Sequence, residues 1–125
     1  ISETSKLKAE TDFREAMQEA QSFVTKAGAT FVPVLQATLF TRNPSSDYDR
    51  TLAKMYGSEL GVVMPDMYER LLPIISKYEN FGDARSVMNN LEPSPYFDWM
   101  HVDSRGDIRI ATFISNLLFE KNLIN

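Results

Sequence analysis

An all-α domain, an irregular bundle of about five or six helices, is the fold class this sequence predicts. Apolar residues recur at three- and four-residue spacing along most of the chain. Glycine, proline and Asn/Ser clusters cut it into segments of helical length. The composition, 43% hydrophobic and 24% charged, is that of a chain that folds around a core. With 125 residues, a single domain covering 1–125 is expected. Area scaling predicts a folded surface of roughly 6,800 Å² against about 20,700 Å² for the extended chain.

The first helix is expected from Ser5 to Ala27. Leu7, Phe13, Ala16, Met17, Ala20, Phe23, Val24 and Ala27 form one apolar stripe, and Glu10 and Arg14 stand in the favourable i,i+4 order. Gly28 can take the left-handed conformation that closes a helix. Thr30 to Arg42 is apolar nearly all round, and Pro33 suits a first helical turn. A central buried helix is expected there, although its β-branched residues also suit a strand.

Asn43 to Ser46 reads as a turn, with Ser46 as N-cap and Asp47 and Asp49 at the positive end of the next helix. Tyr48, Leu52, Met55 and Tyr56 give that helix its inner face, and Gly57 or Gly61 ends it. Pro65 opens the following helix, whose apolar positions are Met67, Tyr68, Leu71, Leu72, Ile74, Ile75 and Tyr78. Pro73 removes the bond to the Glu69 carbonyl, so a kink or break is expected. Asp83 is expected to cap a short helix through Leu91, with Val87, Met88 and Leu91 inward.

Pro93-Ser94-Pro95 ends that helix, and Tyr96 to Asp103 carries no helical stripe. Ser104 and Asp107 then stand as a capping box, and Ile108, Ala111, Ile114, Leu117 and Leu118 share a face down to Lys121. The alternative over 100–113 is a short β-hairpin pairing Met100–Asp103 with Ile108–Phe113. The expected core is Phe13, Met17, Phe23, Leu35, Leu39, Leu52, Leu71, Ile75, Val87, Ile114 and Leu118.

The net charge is −4, and the 13 basic residues never run together. Nucleic-acid binding needs clustered positive charge, so it is disfavoured rather than excluded. The absence of cysteine removes disulfides and thiolate metal sites and fits an intracellular, cytoplasmic setting. No apolar run approaches the roughly 20 residues that span a bilayer, so no membrane partner is expected. The chain starts at Ile1, from which a domain of a larger protein is expected.

Few residues point to chemistry. His101, the single histidine, lies near Asp98, Asp103 and Asp107, a set suited to acid–base work or a divalent cation; a loop histidine among capping acids has the same letters. No serine sits in a nucleophile elbow and no glycine-rich phosphate loop is present, so neither a cofactor nor an enzymatic role is expected. Arg105-Gly106-Asp107 spells an adhesion tripeptide that a helix cap explains equally. Glu79 to Val87, with Gly82, Ala84 and Arg85, resembles the Gly-x-Ala-Arg turn in the helical lid of AAA+ ATPases over about ten residues. That resemblance implies an arginine facing nucleotide, although the nucleotide-binding motifs themselves are missing here.

The aromatic segment Tyr96, Phe97, Trp99 and Met100 is the main candidate surface. Its start is held extended by Pro93 and Pro95. Such residues either close over the core or anchor a partner, and Trp, Tyr and Met are enriched at interface hot spots. The expected function is therefore a non-enzymatic domain that docks another protein. The alternatives are an accessory helical domain of a nucleotide- or nucleic-acid-driven machine, using Arg85, and a small enzyme using His101 with neighbouring aspartates.

Overall fold

A computed structural model describes all residues from Ile1 to Asn125. The elements are α1 (Glu3–Lys26), β1 (Val34–Leu35), a 3-10 turn (Leu39–Thr41), α2 (Asp47–Lys54), α3 (Ser58–Ile75), β2 (Gly82–Asp83) and α4 (Ser104–Glu120). The protein is thus mostly helical, with four α-helices rather than five or six, and it holds a two-stranded parallel sheet. No helix is long and apolar enough to cross a membrane.

Helix α1 forms as its stripe predicts. Ser2 caps its start, and Gly28, at φ +77°, turns the chain so that its own amide and that of Ala29 reach the Thr25 and Val24 carbonyls. Phe13 and Met17 lie on a cluster of Leu35, Tyr68 and Ile75. Arg70 of α3 binds Glu3 and Glu10, and Lys6 binds Asp66, which ties the two helices together. No residue of α1 is buried outright, and Phe23 is 77% exposed. This half-embedded helix helps explain a total surface of 7,828 Å², larger than chain mass alone predicts.

Thr30 to Arg42 is not a helix. Val34 and Leu35 pair in parallel with Gly82 and Asp83, and α2 and α3 form the long crossover such a pairing requires. The all-round apolarity of the segment is that of a strand covered on both faces. Leu35 meets Tyr68 and Ile75 on the α3 side. The Val34–Gly82 face meets α4, where a Cβ on Gly82 would lie 2.5 Å from Leu117 Cδ2 and 3.2 Å from the Phe113 ring.

Asp83 to Leu91 is likewise not a helix. The Asp83 carboxylate accepts the Arg85 amide two residues on and the Arg85 guanidinium, which fixes a turn instead of capping a helix. A run of tight turns follows, and the Arg109 guanidinium takes up the Val87 and Asn89 carbonyls. Met88 is completely buried there.

Helix α3 begins at Ser58, ahead of Pro65, and continues through both prolines. Gly61 stands four residues before Pro65, so no side chain adds to the crowding there, and Pro73 falls in the last turn. Helix α2 has the expected Ser46 cap, and α4 replaces the hairpin alternative. The cap of α4 is Asp103, which accepts the Arg105 and Gly106 amides. Arg105-Gly106-Asp107 is therefore a first helical turn. Gly106 lies so close to Val102 that a Cβ would meet Val102 Cβ at 2.6 Å.

Of the expected core, Leu35, Leu39, Leu52 and Ile75 are buried; Phe13, Met17, Leu71, Val87 and Leu118 are half-buried; Phe23 and Ile114 are exposed. Ala37, Leu39, Leu52, Met88 and Tyr96 form the second cluster. Arg42 and Asp49 join beside it and fasten α2 to the 89–92 turn through the Leu91 carbonyl and Glu92.

Candidate functional site

The open side of β1 is the place where polar groups and apolar hollows converge. In the parallel pairing, the Pro33 and Leu35 carbonyls accept the Gly82 and Ala84 amides at 3.0 and 2.9 Å. Residues of a strand alternate in direction, so Val32, Val34 and Gln36 turn their backbone groups away from β2. No backbone partner meets the Val32 or Gln36 amide or the Val32 or Val34 carbonyl. The Gln36 carbonyl alone is engaged, accepting from the Tyr68 hydroxyl at 2.9 Å.

Two hollows flank this edge. One, of about 450 Å³, lies between α1 and α3 and is lined by Phe13, Met17, Leu35, Tyr68, Trp99 and Met100. The other, of about 630 Å³, lies toward α4 and is lined by Ala37, Met100, Val102, Ile110, Phe113 and Ile114. Val34, Gln36 and Met100 border both, so the hollows meet at the edge of β1.

The segment 96–101 is positioned beside this edge by its own turn. The Asp98 carboxylate accepts the Met100 and His101 amides at 2.8 and 2.7 Å and pairs with the His101 ring at 2.6 Å. Those bonds, the His101 amide's foremost, hold the Asp98 carboxyl at about 2, well below the ordinary carboxylate value. The Trp99 carbonyl accepts the Leu39 amide at 2.9 Å, and the Phe97 amide donates to the His101 carbonyl.

The aromatic residues are thereby separated. Tyr96 is 2% exposed and belongs to the core; burial pushes its phenol up, and its carbonyl accepts the Tyr48 hydroxyl at 2.9 Å. Phe97 is 67% exposed. Trp99 and Met100 are half-buried, Trp99 leaning on the core cluster while lining the α1 hollow. His101 is exposed at the mouth of the α4 hollow, with Asp98 as its carboxylate partner. Asp103 is engaged by the α4 cap and Arg105, and Asp107 makes no ion pair. No group of three or more His, Asp or Glu side chains is arranged to hold a cation.

Arg85 lies elsewhere, in a polar hollow of about 610 Å³ with Asp66, Glu69, Tyr68 and Asp83. Its guanidinium binds Asp83 through two nitrogens and Glu69 through a third. The pairing lowers the Asp83 carboxyl and raises the Arg85 guanidinium. Arg85 and the Trp99 segment share no hollow, though Tyr68 borders one of each.

Sequence reasoning reached Trp99 and Met100 but treated Phe13 and Met17 as core, placed Val34 within an expected helix and passed over Gln36. The signal for the edge was a proline followed by β-branched Val34 and then a polar Gln36 within an apolar run. The chain matches no family model, no curated protein and no solved structure.

Proposed function

We propose that the chain is a non-enzymatic docking domain that binds another protein in the cleft formed by Trp99, Met100 and the open side of β1. The observation that carries this is the meeting of two largely apolar hollows at a row of unpartnered backbone groups. Hollows of this size and lining, with a few convergent polar groups, are the usual form of a binding site. Trp99 and Met100 supply a large aromatic anchor and an adaptable thioether at its border.

The alternatives have less support. Arg85 is held by the protein's own Asp83 and Glu69, so a ligand would have to displace both. His101 has Asp98 beside it but no neighbouring hydroxyl or thiol nucleophile with which it exchanges a hydrogen bond.

The test is selection of binders from a displayed library of random peptides, followed by affinity measurement on the isolated protein. Selected peptides are expected to lose at least about tenfold in affinity with Trp99→Ala or Met100→Glu and to be unaffected by Arg85→Gln. Peptides that bind all three variants like the native chain would place docking elsewhere.

A further inference from the structure

We infer that the cleft binds its partner by strand addition: a short extended segment, apolar over consecutive residues and flanked by a basic one, pairs with the backbone of Val32, Val34 and Gln36. This rests on the docking proposal above and specifies the chemistry of the partner. The backbone argues for it first. An edge that offers amide and carbonyl groups in alternation, of which its own chain engages only the Gln36 carbonyl, is matched by another extended chain and by little else.

The hollows define the side chains. They lie on the two faces of the sheet, one toward α1 and α3 and the other toward α4. Successive side chains of a strand point to opposite faces. A strand laid along the edge therefore sends one residue toward Phe13 and Met17 and the next toward Ile110 and Phe113. Both positions favour apolar groups, so the fitting segment is a continuous apolar run, as in any strand covered on both sides.

Charge sets the flank. The protein carries a net charge of −4, and Asp107 stands at the mouth of the α4 hollow with no cationic partner. The only ring nearby that can carry positive charge, His101, is held by Asp98. A lysine or arginine beside the apolar run complements this rim.

One substitution isolates the backbone contribution. The Val34 amide is turned away from β2, whereas the β1–β2 ladder uses the Pro33 and Leu35 groups. Val34→Pro thus removes an edge donor and blocks the approach of a new strand while sparing the existing pairing. The probe is an acetylated, amidated peptide of about six residues, alternating valine and leucine between terminal lysines. Its binding is followed by amide chemical shifts and hydrogen exchange on the native chain and the variant.

Strand addition predicts that the Val34 and Gln36 amides gain exchange protection on binding. It predicts that Val34→Pro weakens the peptide about tenfold or more. N-methylation of the peptide should abolish binding at alternate residues only, and this last arm keeps the test valid where Val34→Pro unfolds. Peptide selected by the native chain that needs Trp99 yet tolerates Val34→Pro and every N-methylation overturns strand addition while leaving the docking proposal standing. Failure of the valine–leucine peptide to bind the native chain overturns strand addition as well.

Discussion

Arg42 and Asp49 pair where neither side chain meets solvent, at 0% and 1% exposure. The same guanidinium donates to the Pro44 and Leu91 carbonyls and to Glu92, so it joins the 43–46 turn, α2 and the 89–92 turn at one point. The region also buries polar atoms of Thr38, Arg42, Asp49 and Tyr96 that have no hydrogen-bond partner within the chain. Breaking such a pair leaves a charge stranded in the interior. Arg42→Ala is expected to lower unfolding stability by about 3–5 kcal/mol in urea melts. Replacing both partners, with Arg42→Met and Asp49→Leu together, should recover much of that loss. A double variant no more stable than Arg42→Ala would show that the lost hydrogen bonds, those of Arg42 to the carbonyls and that of the Ser46 amide to Asp49, outweigh the stranded charge.

Acid should unfold the protein through its carboxylates. Asp49, Asp66, Asp83, Asp98 and Asp103 all sit below their ordinary values in the folded chain. For Asp49, burial works the other way and is outweighed by its hydrogen bonds and by Arg42. Each depressed group gives stability that is present above the unfolded value of about 3.9 and lost as pH falls through the folded value. For Asp98 that window closes at about 2. The urea midpoint should therefore fall steadily below pH ~4. A midpoint unchanged between neutral pH and pH ~3 would contradict this assignment.

Gly106 tests the packing of α4 on the 96–102 segment. Alanine is favoured over glycine inside a helix by about 1 kcal/mol. Here the added methyl would lie 2.6 Å from Val102 Cβ, an atom next to the backbone that cannot swing aside. The clash should exceed the propensity gain, so Gly106→Ala is expected to destabilise by about 1–2 kcal/mol net. Val102→Ala removes the Cγ2 contact at 2.7 Å but keeps that Cβ, whereas Val102→Gly removes both, so the first should relieve Gly106→Ala in part and the second more fully. A Gly106→Ala chain that melts higher than the native one would mean α4 sits farther from Val102.

Helices α1, α2 and α4 were legible because each carries its own signals: a stripe with Gly28 beyond its end, a Ser46 cap with acids behind it, and a capped apolar face from residue 104. What was not legible depends on partners distant in sequence. Val34 pairs with Gly82 across the α2–α3 crossover, and no local pattern tells a doubly covered strand from a buried helix. Asp83 looks like a helix cap until Arg85 is seen to claim it. The site was legible only as an aromatic segment. Its other half, the open edge, exists because the strand exists.

Phe97 and Trp99 separate the two roles offered by that segment, core closure and partner contact. Phe97 is 67% exposed and its amide, not its ring, holds the turn. Phe97→Ser should change stability by no more than about 0.5 kcal/mol. Trp99 leans on the cluster containing Leu39 and Met88 while one side remains in the α1 hollow. Trp99→Ala removes part of a buried ring but keeps the carbonyl that Leu39 uses. A cost of about 1–3 kcal/mol is expected, below the 3–5 typical of a fully enclosed tryptophan. Thermal melts of the two variants decide the matter together with peptide affinity. If Trp99→Ala abolishes the folding transition, the ring belongs to the core and the cleft must be defined by Met100 and the β1 edge alone. If it folds and fails to bind, the exposed side of the ring is the anchor.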